Sequence, residues 1–327
     1  MAGQAAWSVH RLLVSACIFF AFTSAEPSCQ ETTPIYYMHP EYTCSNLSSP
    51  DELLQHMPKN MNSSRIEVVL KDSRLNHFPP GAFAGNKVTS LVLNNVTVKT
   101  FALPGASGSV FDELQDTLEK LVFYKNSSLP ETWSMLKNVK HLEELVFFRI
   151  SRLRLGDDFN DLPTSMKNVA VVQSSLTEVG SGWMSSLQKL EKVRIENSDF
   201  KVFSRAMLPR PAESLRELVI TRTPITSLPS DFSEGFPALS MLNLRLNKIT
   251  TFEEAALAPL KKTGATVVLT GNSLHCDCKL AFLLAYPDGW HYPKCETPDV
   301  LAKTPFKGLD AGKLGCGDVV AGSEKPE

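Results

Sequence analysis

A phrase of fourteen residues returns about every 24 residues along this chain. Its clearest copy runs from Leu239 to Phe252 and has the pattern L-x-x-L-x-L-x-x-N-x-I-x-x-F. The fourth and sixth positions are apolar in all nine copies, a column that chance would not produce. The copies begin at Arg65, Val88, Leu118, Leu142, Met166, Leu190, Leu215, Leu239 and Gly264.

This pattern is the sequence signature of a leucine-rich repeat, in which each copy adds one short strand to a parallel sheet. One copy cannot bury its apolar face alone, so the copies must stack around a continuous core. Neighbouring strands lie roughly 4.8 Å apart, so nine strands predict a concave wall on the order of 40 Å long. We therefore predict an α/β fold, a leucine-rich repeat solenoid of about nine repeats over residues 65–274.

The ninth position of the phrase departs from its usual asparagine. An inward asparagine satisfies backbone groups of adjacent turns, and a hydroxyl can partly replace it. Because Val96 and Ile150 offer no polar group, we expect repeats two to four to be the least regular, with a longer loop around Ala102 to Thr117. The column reads Ser73, Val96, Asn126, Ile150, Ser174, Ser198, Thr223, Asn247 and Asn272.

The first 25 residues read as a cleaved secretory signal peptide. An apolar run from Leu12 to Phe22 follows His10 and Arg11, and it is too short to cross a membrane as a helix. No second long apolar stretch follows, and the tail 318–327 is polar or small. The formal charge of −2 gives no basic excess for nucleic acid. The sequence predicts a secreted, extracellular protein without a membrane span.

Six cysteines remain after the signal peptide, and all lie outside the repeats. An even number in a secreted chain implies disulfides. The two ends of a solenoid need covers, so we expect an N-terminal cap over 26–64, closed by Cys29 and Cys44, and a C-terminal flank over 275–317. The other four cysteines are Cys276, Cys278, Cys295 and Cys316, and their spacing alone allows three pairings. In an oxidising compartment, disulfides explain the C-x-C pair better than a metal site does.

Four N-x-S/T sequons are candidate glycosylation sites in a secreted protein. Asn46 and Asn62 lie in the predicted cap, where exposure is expected. Asn95 is near the rim of the concave face. Asn126 is at the ninth position of its repeat, and it can carry a glycan only if its side chain does not fill the inward column.

The predicted concave face carries an apolar patch in repeats three to five. Such patches with aromatic anchors and a polar rim often mark protein interfaces, although strands also favour valine and aromatic residues for fit alone. The patch consists of Val122, Tyr124, Val146, Phe148, Ala170 and Val172, flanked by Lys120, Lys125 and Arg149. In the second half the face is mixed in charge, as expected of a solvated surface: Lys192, Arg194, Glu196, Arg222 and Arg245.

No catalytic or cofactor-binding motif stands out. The histidines do not have the H-E-x-x-H spacing, and the chain has no G-x-S-x-G or phosphate-binding glycine loop. Every cysteine is expected to be bridged, so none is a free nucleophile. The pair Asp157-Asp158 is better explained as a turn than as a catalytic dyad. We predict a protein that is not an enzyme and uses no cofactor or metal.

The segment from Asn272 to Leu280 resembles the N-x-x-x-C-D-C-x-L opening of the C-terminal flank in extracellular leucine-rich repeat proteins. That resemblance implies the pairs Cys276–Cys295 and Cys278–Cys316. In overall plan the chain resembles arthropod secreted leucine-rich repeat proteins, including the family of the non-catalytic subunit of oplophorus-luciferin 2-monooxygenase. The same motifs are similar to those of Toll-type receptors and Slit-like matrix proteins.

Three functions are compatible with these features. The concave patch favours a secreted scaffold that binds another protein. The resemblance to the oplophorus family implies an accessory subunit, with a small catalytic chain as partner. The third function is recognition of a microbial, glycan or receptor ligand in innate immunity or in the extracellular matrix. It rests on analogy with other secreted repeat proteins, and a shared fold alone does not determine function.

Overall fold

A computed structural model describes residues 25–32, 39–61, 63–105 and 108–317. The apolar run of the predicted signal peptide, the sequon residue Asn62 and the tail 318–327 lie outside the described residues. The described chain is built around one large curved sheet, with short helices packed on the convex side of the sheet.

Eleven strands form this sheet in the order in which they occur along the chain. All neighbouring pairs are parallel except the first, which is antiparallel. The strands are β1 (Ser28–Thr32), β2 (Glu41–Ser45), β3 (Ile66–Leu75), β4 (Val88–Val98), β5 (Lys120–Tyr124), β6 (Glu144–Phe148), β7 (Asn168–Val172), β8 (Lys192–Glu196), β9 (Glu217–Thr221), β10 (Met241–Asn243) and β11 (Thr266–Val268).

Strands β3 to β11 are the nine copies of the phrase, and their register follows its columns. Leu121 on β5 pairs with Leu91 on one side and Leu145 on the other, all three at the fourth position. Because side chains alternate along a strand, the fourth and sixth positions point into the core while the third, fifth and seventh line the concave face. The predicted leucine-rich repeat solenoid is thus confirmed.

The convex side is made of short helical segments and one small parallel sheet, Leu153–Leu155 with Leu176–Val179. Two segments are α-helices, Pro50–His56 in the N-terminal cap and Glu254–Leu257 in the last repeats. The remaining segments are 3₁₀-helices: Val110–Leu114, Trp133–Leu136, Asp157–Asp161, Arg205–Met207, Ala258–Lys262, Cys278–Ala285, Asp299–Leu301 and Phe306–Gly308.

The core runs without a break along the solenoid and is rich in aromatic rings. Phe123 and Phe147, both at the sixth position, stack at 5.8 Å, and Trp133 meets Phe147 edge-on at 5.4 Å. Phe159 and Trp183 continue this contact into the next repeat at 5.0 Å. Such aromatic pairs stabilise a fold by more than the burial of their surface alone. The core under repeats three to five therefore stabilises the strands that pack on it.

Inward polar side chains at the ninth position form hydrogen bonds that link a repeat to the preceding one. Asn247 accepts the backbone N–H of Thr223 in the preceding repeat and donates to the carbonyls of Ile220 and Leu244. The hydroxyl of Ser174 accepts the N–H of Ile150 and donates only to Val172. A serine therefore satisfies fewer backbone groups than an asparagine, as its single donor requires.

One assignment in this column was wrong. Asn126 is exposed, and the inward residue of the third repeat is its neighbour Ser127, which is buried. The Ser127 hydroxyl accepts the N–H of Val96 and donates to the carbonyl of Leu93. The reason is an extra residue in the turn, because Lys125 and Asn126 both have left-handed backbone angles, φ of 51° and 59°. The steric objection to a glycan on Asn126 is removed.

In the 30-residue repeat, the described residues on the two sides of 106–107 lie close together. The N–H of Leu103 donates to the carbonyl of Gly108 at 2.9 Å. The 3₁₀-helix Val110–Leu114 follows and buries Val110, Phe111 and Leu114. The predicted loop is therefore anchored to the core immediately after its turn.

Disulfides hold both ends of the solenoid. Cys29 and Cys44 join the paired strands β1 and β2, which extend the sheet beyond the first repeat. At the other end the pairs are Cys276–Cys295 and Cys278–Cys316, as the resemblance implies. His291 covers the edge of β11 through two backbone hydrogen bonds of 2.8 Å, to Val267 and from Leu269.

Candidate functional site

The six residues of the predicted patch lie together on the concave face. The sheet register aligns Val122, Val146 and Ala170 in one row across β5, β6 and β7. It aligns Tyr124, Phe148 and Val172 in the next row, towards the carboxyl ends of the same strands. All six are partly exposed, because they face the open side of the sheet.

A stacked aromatic pair supplies the largest side chains of this patch. The rings of Tyr124 and Phe148 stack at 4.7 Å with 9° between their planes. The ammonium group of Lys125 lies 5.5 Å from the centre of the Tyr124 ring, and the Arg149 guanidinium lies 5.2 Å from that of Phe148. Gln173 fixes Arg149 further by accepting its Nε–H at 2.7 Å. Large rings that are already ordered can bind a partner with little additional loss of side-chain entropy.

The apolar surface is longer than the six predicted residues. Val92 and Val69 continue the row of Val122 across β4 and β3, and both are partly exposed. They share the fifth position of the phrase, so the same column would have identified them. Beside Tyr124, the buried carboxamide oxygen of Asn94 has no hydrogen-bond partner among the described residues.

Charged residues at the amino ends of the strands are largely paired with one another. Lys120 contacts Glu144 at 3.4 Å, and Lys192 contacts Glu217 at 3.7 Å. At the other ends of the strands, Arg194 pairs with Glu196 at 2.6 Å, and the exposed Arg222 and Arg245 extend the mixed face of the second half. Basic residues therefore border the apolar patch on two sides, but only some of them are neutralised.

Across residues 25–32, 39–61, 63–105 and 108–317, no cluster of histidine, cysteine and carboxylate side chains could hold a metal ion. The six cysteines in those ranges are bonded in pairs. Asp158 lies in the first turn of the 3₁₀-helix Asp157–Asp161 on the convex side, and its carboxylate accepts the backbone N–H of Trp133 at 3.3 Å. This contact is structural, but the pair Asp157-Asp158 begins a short 3₁₀-helix and does not form the turn that the sequence predicted.

The asparagines of the described sequons differ in their exposure and in the hydrogen bonds of their side-chain amides. Asn95 is exposed, but its Nδ2 donates to Asp72 at 2.7 Å. Asn126 is exposed and uses only its Oδ1, which accepts the N–H of Ser151. Asn46 is half-buried beside Ser45. Glycosylation of these three asparagines stays a prediction.

The comparisons with known proteins agree with the repeat architecture. The family described as Leucine rich repeat matches residues 213–264. No curated protein matches the chain. In the part of the chain that the structure describes, no helix has the length and apolarity to cross a membrane.

Two solved structures are similar to the chain. An internalin from Listeria monocytogenes has a TM-score of 0.42 and 16% identity, and the match covers 64% of this chain and 62% of that chain. The Toll–Spatzle complex of Drosophila gives a TM-score of 0.45 and 12% identity, over 82% of this chain and 51% of that chain. The match thus spans less than two thirds of either structure.

Proposed function

We propose that this protein is a secreted, non-catalytic scaffold that binds another protein on the concave face of its leucine-rich repeat solenoid. The observation that carries the proposal is the stacked pair Tyr124 and Phe148 within a partly exposed apolar patch. Leucine-rich repeat folds are interaction scaffolds, and curved solenoids present extended concave surfaces for this purpose.

The free energy gained by covering exposed apolar groups supports the choice of this patch as the binding surface. Exposed aromatic and aliphatic groups gain roughly 25 cal/mol for each Å² of apolar surface that a partner removes from water. Aromatic residues near the centre of an interface commonly supply most of its binding energy. The polar and charged residues around the patch would form the rim that excludes water from such a centre.

Secretion is supported by chemistry at both ends of the molecule. Three disulfides close the two caps, and disulfides persist in oxidising compartments. The apolar run from Leu12 to Phe22 supplies the export signal in this proposal. An accessory role for a secreted enzyme is a narrower form of the same function, and it rests on the resemblance of the cap and flank motifs.

The test is a cross-linked pull-down from native extracellular fluid with three versions of the mature protein. The first is the wild type, and the second is the variant Tyr124→Asp/Phe148→Asp. The third, Val202→Asp/Val300→Asp, makes the same chemical change at two valines that are 70% and 88% exposed and lie outside the main sheet. Circular dichroism and thermal unfolding verify that all three are folded.

We expect the wild type and the valine control to retain the same partner and the aromatic variant to lose it. A loss of about 2 kcal/mol or more in binding free energy is typical of removing central aromatic anchors. A folded aromatic variant that keeps every partner would exclude the patch as the binding surface. Co-purification of a small catalytic chain would identify the accessory role.

A further inference from the structure

The two long edges of the concave sheet differ in how their charges are balanced. The amino-end edge, where the strands begin, is laced with ion pairs between neighbouring repeats. Examples are Lys167 with Glu143 at 2.7 Å and Lys120 with Glu144 at 3.4 Å. Charges that already pair within the protein offer little net field to a partner.

The carboxyl-end edge, where the strands end, has four basic side chains without such partners. Lys125, Arg149, Arg222 and Arg245 are exposed, and none lies within ion-pair distance of a carboxylate among the described residues. The two other ion pairs along this edge are internal, Lys71 with Asp72 and Arg194 with Glu196. This edge therefore carries an uncompensated positive charge.

The backbone places these cations in a row. Lys125, Arg149 and Arg222 occupy the eighth position of their repeats, and each has a left-handed φ, between 51° and 56°. The N–H of Lys125 donates to the carbonyl of Phe148, and that of Arg222 donates to the carbonyl of Arg245. Adjacent turns are therefore in register, and the backbones of Lys125 and Arg149, which are in successive repeats, lie about 5 Å apart.

Two members of this row, Lys125 and Arg149, border the apolar patch directly. Lys125 and Arg149 each lie over the ring of the aromatic residue that precedes them, Tyr124 and Phe148. A ligand that covers the rings must therefore approach both cations. Removing water from an unpaired cation is costly unless the ligand brings an opposite charge.

We propose that the partner binds through a protein segment that combines apolar side chains with carboxylates. Its apolar groups cover the patch around Tyr124 and Phe148, and its aspartates or glutamates face the cationic row of Lys125, Arg149, Arg222 and Arg245. This inference rests on the proposed function, because it assumes that the concave patch is the binding surface. Arginine binds carboxylates in a bidentate manner, which would also fix the register of the segment.

A sulfated polysaccharide would satisfy the cations but leave the apolar rows of Val122 and Tyr124 unused. A segment with both kinds of group uses both features of the face. The charge complementarity therefore favours a protein partner over an anionic glycan.

The experiment is a selection from a random-peptide display library on the immobilised mature protein, followed by affinity measurement of the enriched peptides. The same peptides are then tested on the charge-reversal variant Lys125→Glu/Arg149→Glu. The matched control is Lys137→Glu/Lys189→Glu, which reverses two exposed lysines outside the sheet that have no ion pair in the described structure. Binding to immobilised heparin is measured in parallel.

We expect the enriched peptides to combine aspartate or glutamate with leucine or aromatic residues. Their affinity should fall roughly tenfold or more in the reversal variant, mostly through slower association, and stay unchanged in the control. Added salt should weaken binding to the wild type more than to the reversal variant.

The failures of the two proposals are separable. Peptides that are apolar without carboxylates, and that are lost only in the Tyr124→Asp/Phe148→Asp variant, would overturn the acidic partner while leaving the concave binding surface in place. Heparin binding that depends on Lys125 and Arg149, without peptide binding, would overturn it in favour of a polysaccharide. Enrichment that depends on none of these residues would overturn both.

Discussion

At the scale of single residues, Arg205 is a charged group that the solenoid keeps in its interior. Only 1% of its surface is exposed, and no carboxylate among the described residues lies within ion-pair distance of it. Its guanidinium donates to the backbone carbonyls of Glu234, Leu208 and Pro209 and lies 4.3 Å from the centre of the Phe236 ring. Burial lowers the pKa of Arg205, which reflects the cost of holding the charge away from water. The hydrogen bonds offset that cost and join two successive convex returns.

Replacing this residue should therefore be costly. We expect Arg205→Ala to lower the free energy of unfolding by about 3–5 kcal/mol, because it leaves a cavity and three carbonyls without donors. Urea unfolding followed by circular dichroism measures the change. The comparison is Arg210→Ala, which removes an exposed ion pair with Asp231 and should cost less than about 1 kcal/mol. Equal effects of the two substitutions would contradict the structural role of Arg205.

At the scale of elements, the helix Pro50–His56 shows how a short segment is ordered by its ends. Ser49 is the N-cap and accepts the N–H of Glu52 at 3.2 Å, and Pro50 begins the helix. Glu52 in turn accepts the backbone N–H of Ser48 at 2.6 Å and its hydroxyl at 2.9 Å. A helix of seven residues is too short to be stable alone, so these bonds and the buried Leu53 hold it in the cap.

The same contacts give this helix a pH dependence. The backbone N–H of Ser48, followed by its hydroxyl, holds the pKa of Glu52 below its ordinary value of 4.5. A depressed carboxylate pKa contributes stability above the unfolded pKa, and that contribution is lost as the pH falls through the folded value. We therefore expect Glu52→Gln to lower the unfolding temperature at about pH 7 and to have progressively less effect below about pH 4.

Thermal unfolding of the wild type and Glu52→Gln across this range measures the effect. The exposed Glu213, which has no described hydrogen bond or ion pair, supplies the control Glu213→Gln. A difference between wild type and Glu52→Gln that stays constant down to about pH 3 would refute the assignment.

At the scale of the whole molecule, each repeat contacts mainly its neighbours, so stability depends on how the two ends are covered. At the C-terminal end, backbone hydrogen bonds of His291 cover the edge strand β11, and Cys276–Cys295 ties the flank in place. The aromatic contacts of Trp290 with Tyr286, and of Tyr292 with Phe306, pack this flank internally. The flank thus acts as a small folded lid on the open end of the core.

Removing the Cys276–Cys295 disulfide should loosen the solenoid from that end. The bond closes a separation of 19 residues, for which the chain-entropy argument predicts a loss of about 3 kcal/mol. We expect Cys276→Ser/Cys295→Ser to accelerate amide hydrogen exchange most in β11 and β10 and least in β5 and β6, because unfolding spreads from neighbour to neighbour. Exchange that rises uniformly along the sheet would argue against a local capping role.

The sequence by itself determined the solenoid, its nine repeat strands and the rows in which side chains face the core or the concave surface. It could do so because these features repeat along the chain, so that each copy corroborates the others. The predicted six-residue patch follows from the same columns, and Val69 and Val92 could have been added to it.

Only the tertiary structure decided the features that depend on contacts between successive turns. An extra residue in one turn placed Ser127, instead of Asn126, in the core. Pairing across strands neutralised Lys120 but left Lys125 and Arg149 without carboxylate partners among the described residues. The physical reason is that side chains in successive repeats, some 24 residues apart in sequence, meet at distances set by the turns and rotamers. A repeat pattern fixes the rows, but only these distances fix which charges cancel.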